Sequence, residues 1–198
     1  MESSETLVDL IRHGEPEGGR RFRGVTDDPL SERGWRQMRE AIGVREPWKA
    51  VATSPLRRCA EFAQDLAGRL HLPLEEVPDL REIAFGSWEG RTAADVLAEG
   101  PGDLYGFWRD PENTRIPGGE MLPAFRDRVI PAWDDLIERY SGPSLLIVAP
   151  GWVVRILLTH VLGMPLSHLF RLEVAYADRS RIRVDSAGAR LVAHGSHR

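Results

Sequence analysis

The chain of 198 residues has one cysteine, Cys59, so no disulfide can close within it, and no group of cysteine and histidine has the spacing of a zinc site. A reducing, cytoplasmic setting is the expectation that follows. Basic charge is not in excess either: the formal net charge is −4, which leaves no footprint for nucleic acid but allows local arginine pockets, so small anionic ligands are the favoured partners. No apolar run is long enough to cross a bilayer, and the acidic opening Met1-Glu2-Ser3-Ser4-Glu5 lacks the basic and apolar regions of a signal peptide. A soluble protein with no membrane partner is expected, as a monomer or a homodimer. Internal repeats and low-complexity stretches are absent. What remains is a hydrophobic content of 42%, enough for one sizeable core and little for two, which predicts a single domain over residues 1–198.

Thr6 to Ile11 reads as a short buried strand, with Arg12 and His13 at its C-terminal mouth. Residues 15–29, rich in Gly, Pro, Asp and Arg, read as a loop. Ser31 is suited to cap a helix to about Ile42, in which Leu30, Trp35, Met38 and Ile42 share a face, Gly34 weakens the helix and Gly43 ends it. Lys49 to Thr53 is a second strand, and Ser54-Pro55 opens a helix from Leu56 to about Leu70 with Pro55 suited to its first turn. Leu72 to Val77 reads as a strand and residues 79–90 as an ordered loop. Residues 91–119 read as an insertion of two short helical pieces, broken by Gly100-Pro101-Gly102, Pro111 and Pro117, that covers something. Glu120 to Tyr140 is a long amphipathic helix that Pro131 should kink. Ser144 to Ala149 is the strongest strand, apolar enough for burial on both faces. Pro150-Gly151 turns from it into a helix through Leu162, ended by Gly163-Met164-Pro165. A short turn over Ser167 to Phe170 and strands over Leu172 to Ala175 and Ser180 to Val184 complete the chain. Strands alternating with helices predict an α/β protein, a three-layer α/β/α sandwich around a mostly parallel sheet, with antiparallel pairing near the end.

In such a sheet, ligands bind where strand C-termini meet helix N-termini. Three segments deliver polar groups there: Arg12-His13-Gly14, Ser54-Pro55-Leu56-Arg57-Arg58 and Ala149-Pro150-Gly151, with Arg81-Glu82 able to reach the same place from a loop. Two arginines and a histidine without a metal cluster suit a phosphoryl group, since guanidinium forks match its oxygens and stay charged at any physiological pH. Gly14 lets backbone N–H groups approach the anion. There, His13 is suited to attack phosphorus and a protonated Glu82 to donate to the leaving alcohol. Each residue alone also has an ordinary reading, His13 as a structural or exposed imidazole, Arg58 as a solvated helix charge and Glu82 as a surface acid. The combination carries the phosphoryl reading.

Leu10-Ile11-Arg12-His13-Gly14-Glu15 resembles the RHG signature of the histidine phosphatase superfamily, which includes the cofactor-dependent phosphoglycerate mutases. Further matches follow in order along the chain: Thr26-Asp27-Asp28-Pro29-Leu30-Ser31-Glu32-Arg33-Gly34, Ser54-Pro55-Leu56-Arg57-Arg58, Leu80-Arg81-Glu82 with Phe85-Gly86-Ser87-Trp88-Glu89-Gly90, and Pro117-Gly118-Gly119-Glu120. The resemblance implies a phosphoglycerate mutase-like fold, His13 as the phosphorylated nucleophile, Arg12 and Arg58 as phosphate clamps, Glu82 as proton donor, and neither metal nor cofactor. It further implies substrate contacts at Arg23, Thr26, Gly151 and Trp152, with the 91–119 insertion over the site setting preference. The compact length, residues 21–27, and Leu169-Phe170-Arg171-Leu172-Glu173-Val174 with Tyr176-Ala177 look most like bacterial α-ribazole phosphatases of cobalamin assembly. That implies α-ribazole 5′-phosphate as a substrate and ranks a mutase below a phosphatase.

The family pattern breaks at Val148-Ala149-Pro150-Gly151-Trp152-Val153-Val154-Arg155, where relatives carry a second histidine and this chain has Pro150. The resemblance then implies one donor fewer to the phosphoryl oxygens, a loss of roughly 3 to 4 kcal/mol, or about a hundred- to thousandfold in rate. A non-catalytic phosphate-ligand binder is the alternative. Proline is tolerated where a helix begins, so the fold should not suffer. His160, about 15 Å further along the same helix, is not placed to substitute, and His194 has no helix after it. Trp152 stands where the family has a small residue, and core packing is its ordinary reading.

Overall fold

The computed structural model describes residues 5–43 and 46–195, so the acidic lead Met1 to Ser4 lies outside the described residues. Six strands, β1 (Thr6–Arg12), β2 (Ala50–Thr53), β3 (Leu74–Glu76), β4 (Leu145–Ala149), β5 (Arg179–Asp185) and β6 (Gly188–His194), form one sheet in the order β3-β2-β4-β1-β5-β6. The pairs β1–β4, β2–β4 and β2–β3 are parallel; β1–β5 and β5–β6 are antiparallel. The sheet is mixed, its parallel half continued by an antiparallel pair.

The alternation of strand side chains divides the core in two. Val8, Leu10, Leu145, Ile147 and Ala149 pack with α5 (Leu122–Arg139) and α6 (Gly151–Val161), through Phe125, Val129, Trp133, Val153 and Leu157. Ile11, Val51, Leu146 and Val148 face the other way, onto α1 (Glu32–Ala41) and α2 (Arg57–Leu70), through Met38, Phe62 and Leu66. Helices on both faces of the sheet make the expected three layers. Cys59 lies in the second cluster, and burial pushes its thiol up to about 12.

Local signals explain most boundaries. The Ser31 hydroxyl accepts from the Gly34 N–H and caps α1. In α2, Leu56 is the residue before the first helical turn, so Pro55 precedes the cap instead of occupying that turn. α5 continues through Pro131. The stretch 91–119 contains α3 (Ala93–Glu99), opened by a reciprocal Thr92–Asp95 capping box, and α4 (Pro101–Arg109). The segment Leu72 to Ala175 differs from expectation at both ends. The strand predicted over 72–77 is only the three residues of β3, and Leu172 to Ala175 is not a strand at all. The latter residues are drawn off the sheet to meet Arg12 and Asp178: the Val174 carbonyl accepts from Arg12, and the Ala175 N–H donates to Asp178. The last strand, β6, was not expected from sequence. Among the described residues no helix is long and apolar enough to cross a membrane.

Candidate active site

Strands β1 and β4 lie side by side, with Arg12 paired to Ala149, so His13 and position 150 are neighbours just beyond the strand ends. The chain leaves β1 toward α1 on one face of the sheet and leaves β4 directly into α6 on the other. That divergence opens a crevice at the carboxyl ends of the strands, the place where open α/β sheets bind ligands. The loop leaving His13 is pressed against α1: a Cβ on Gly14 would stand 2.3 Å from the Gly34 carbonyl oxygen, and one on Gly34 2.2 Å from that of Glu15. Neither glycine has room for a side chain.

His13 is 4% exposed. Its Nδ1 lies 2.7 Å from the Gly14 carbonyl oxygen, and because a carbonyl only accepts, Nδ1 carries the proton and Nε2 holds the free lone pair. Burial, then the Arg58 and Arg12 cations, hold the imidazole well below the usual histidine range. The ring is therefore neutral at neutral pH, with an unprotonated Nε2.

Arg58, in the first turn of α2, is fully buried. Its terminal nitrogens donate to the carbonyls of Thr26 (2.8 Å) and Arg23 (3.0 Å). The 23–26 loop that presents these carbonyls hangs on Glu89, which accepts from the N–H groups of Gly24, Val25 and Thr26 and from the Thr26 hydroxyl. Arg12 donates to the Val174 carbonyl and lies with its Cζ 4.2 Å from the centroid of the Tyr176 ring. Gly151 allows this placement, since a Cβ there would come within 2.9 Å of the Arg12 Nε. The Nε–H groups of both Arg12 and Arg58 are buried and have no hydrogen-bond partner among the described residues. Unpaired buried donors of this kind are rare and call for an acceptor.

Glu82 is held by its backbone and by its oxygens. Arg128, on α5, donates to the carbonyls of Asp79, Arg81 and Glu82 and pairs with Glu120. One Glu82 oxygen accepts from the Ile83 N–H (3.2 Å), the other from the Trp152 N–H at 3.4 Å. Burial raises the Glu82 carboxyl above the usual carboxylate range against the opposing pull of Arg58 and Arg12. A base whose pKa is lowered and an acid whose pKa is raised thus share one site, the pairing that acid–base chemistry needs.

Arg12, His13, Arg58, Glu82, Arg23, Gly151 and Trp152 all line one cavity of about 870 Å³. Arg23 is committed to Asp28 and to the Gly19 and Glu17 carbonyls. Thr26 is not in the lining: its hydroxyl is turned to Glu89 and its carbonyl serves Arg58, so its placement is that of a support. Pro150 is buried and also outside the lining; it precedes α6 with φ −67° and offers no side-chain cap. Trp152 packs against Phe85, Phe107 and Phe170, with centroids 5.7, 5.6 and 5.4 Å away, while one edge meets the cavity. Thr92, Ala93, Ala94 and Trp108 of the 91–119 stretch reach the same cavity. His160 is exposed and lines a separate hollow of about 380 Å³; His194 is bonded to Ser180 and the Glu173 carbonyl on β6.

Sequence reasoning gave no role to Glu89, Tyr176, Arg20 or Arg155, the last three of which line the cavity. Glu89 and Tyr176 fall within segments matched to the family, and an acid among glycines and aromatics at 85–90 was the one signal available for Glu89. Arg20 and Arg155 look like ordinary surface charges until the fold gathers them. Among the described residues no group of three or more His, Cys, Asp or Glu side chains is placed to hold a metal ion.

The bifunctional protein Rv2228c of Mycobacterium tuberculosis is 34% identical over 192 residues, covering 94% of this chain and 52% of that protein. The chain thus spans about half the length of the first curated relatives it matches. The uncharacterized phosphatase PhoE of Bacillus subtilis is 32% identical over 162 residues, covering 80% of this chain and 78% of that one. Among solved structures, the α-ribazole phosphatase of Shigella flexneri superposes with a TM-score of 0.85 at 28% identity, covering 96% of each chain. The model of the histidine phosphatase superfamily (branch 1) matches residues 8–197, and it is to this superfamily that the chain belongs.

Proposed function

We propose that the chain hydrolyses small phosphomonoesters through a phosphohistidine at His13. The observation that carries this is the pair of buried, unpartnered guanidinium Nε–H groups, one each from Arg12 and Arg58, beside a neutral imidazole. In the first step the His13 Nε2 lone pair forms a bond to phosphorus as the ester P–O bond breaks, and Glu82 gives its proton to the departing oxygen. In the second, water attacks the phosphohistidine, Glu82 takes up one of its protons, and inorganic phosphate leaves neutral His13 behind. Arg12 and Arg58 neutralise the charge spread over the equatorial oxygens. Arg23, Gly151 and Trp152 shape the entrance, in a single cytoplasmic domain whose 91–119 insertion faces the substrate. α-Ribazole 5′-phosphate is the first substrate to try, supported by the likeness to the Shigella α-ribazole phosphatase.

Pro150 favours a second reading, a pocket that binds a phosphorylated ligand without turning it over. One assay separates the two. Purified chain incubated with α-ribazole 5′-phosphate and with p-nitrophenyl phosphate is expected to release inorganic phosphate and to carry an acid-labile phosphoryl group that the H13A variant lacks. Pro150→His is expected to raise the rate at least tenfold, in line with the worth of one preorganised donor. Turnover no greater than that of H13A, together with calorimetric binding of the ester, would establish the binder instead.

A further inference from the structure

Pro150 leaves one flank of His13 without a side-chain donor. On the other flank, β1 pairs with β5, and the segment just before β5 is fastened to the Arg12-His13 dipeptide. The Arg12 N–H donates to the Asp178 carbonyl (3.0 Å), the Ala177 N–H to the His13 carbonyl (3.3 Å), and the Arg12 guanidinium to the Val174 carbonyl. Ala177 adopts φ +59°, a left-handed conformation that a residue with a Cβ rarely takes. This turn sets Tyr176 in the cavity wall, its ring centroid 5.9 Å from that of His13 and its face against Arg12. The Tyr176 side chain is half-buried, and its hydroxyl makes no hydrogen bond to the described residues. A left-handed turn that sets a phenol ring in the cavity wall, against Arg12 and 5.9 Å from the His13 ring, is the kind of arrangement found where backbone cost serves chemistry.

We propose that the Tyr176 hydroxyl donates a hydrogen bond to the phosphoryl group held over His13, supplying from the β5 side the donor that Pro150 cannot supply from the β4 side. The assignment rests on the phosphoryl-transfer reading above. A phenol does this without adding a cation.

The test uses the full chain and two probes, p-nitrophenyl phosphate for turnover and orthovanadate, a mimic of the five-coordinate phosphorus, for binding. Y176F keeps the ring over Arg12 and removes only the hydroxyl. It is expected to lower kcat and to weaken vanadate binding, each by roughly tenfold or more, with the melting temperature unchanged. Placing Y176F in a P150H background is expected to shrink that loss, because the restored imidazole covers the same oxygens. If Y176F matches the parent on both probes while Y176A does not, the ring only positions Arg12 and the assignment is wrong; it is equally wrong if neither variant differs from the parent. A parent with no His13-dependent turnover whose vanadate affinity still falls in Y176F would overturn the hydrolase reading and keep the hydroxyl assignment. A parent that neither turns over nor binds vanadate would overturn both.

Discussion

Glu82 and His13 are moved in opposite directions by the same burial, which favours the neutral form of each. The mechanism proposed above needs His13 unprotonated and Glu82 protonated. Activity should therefore rise with pH through the lowered histidine value and fall with pH through the raised carboxyl value. Under that mechanism, Glu82→Gln removes the proton that goes to the leaving oxygen. It is expected to slow hydrolysis of an alkyl phosphate by about 10² to 10⁴-fold, and that of p-nitrophenyl phosphate by less than tenfold, since p-nitrophenoxide leaves unaided. Equal losses on the two esters, measured as kcat/KM, would remove Glu82 from the role of acid. That Arg12, His13, Arg58 and Glu82 meet at one cavity was legible in sequence because each sits in a short motif whose order along the chain is distinctive. Tyr176 was visible only as part of a likeness that gave it no role, and nothing local distinguishes Arg155; their position depends on how residues 172–178 fold back across β1.

Between residues and fold stands the contact of the loop after His13 with α1. An Ala in the interior of a helix is ordinarily better than Gly by about 1 kcal/mol, and the sequence reading of Gly34 was simply that of a weak helix position. The structure reverses its sense: a Cβ there meets the Glu15 backbone at 2.2 Å. Gly34→Ala is expected to destabilise by about 1–3 kcal/mol, lowering the melting temperature by several degrees. Gly68→Ala in α2, with no atom within 4 Å of the new Cβ, should raise it slightly. Scanning calorimetry on both variants checks the pair, and a stabilising Gly34→Ala would refute the close contact. Elements were legible where the hydrophobic pattern was clear, as in β1, β4 and α5, and in α1 where the Ser31 cap agreed with it. They were missed at the end of the chain, where β6 alternates half-buried and exposed residues and has no continuous apolar run to announce it. The 172–175 stretch misled for the opposite reason: it alternates like a strand but spends its polar groups on Arg12 and Asp178.

Across the whole molecule, the parallel half of the sheet bears the site and the antiparallel half is tied to it through Asp9. This carboxylate, 1% exposed on β1, accepts from Trp48 (2.7 Å), Arg179 (2.7 Å) and Arg181 (2.8 Å). Burial alone would raise its pKa, but the Arg181 and Arg179 hydrogen bonds outweigh it and hold the group below its usual 3.8. Its contribution is then complete above the unfolded value and disappears as pH falls through the lowered one. Asp9→Asn is expected to cost about 3 kcal/mol near neutral pH, and to flatten the acid limb of stability measured by urea unfolding between pH 3 and 7. An unchanged acid limb would show that the network contributes no pH dependence. The guanidinium of Arg58 illustrates the reverse relation, a fully buried charge whose terminal nitrogens meet carbonyl oxygens and whose Nε–H has no partner among the described residues. Through linkage, any dianion that settles between Arg12 and Arg58 adds its binding free energy to that of folding, about 2.7 kcal/mol at a hundredfold excess over Kd. The persistence of the native state thereby becomes a function of the phosphorylated metabolites around it.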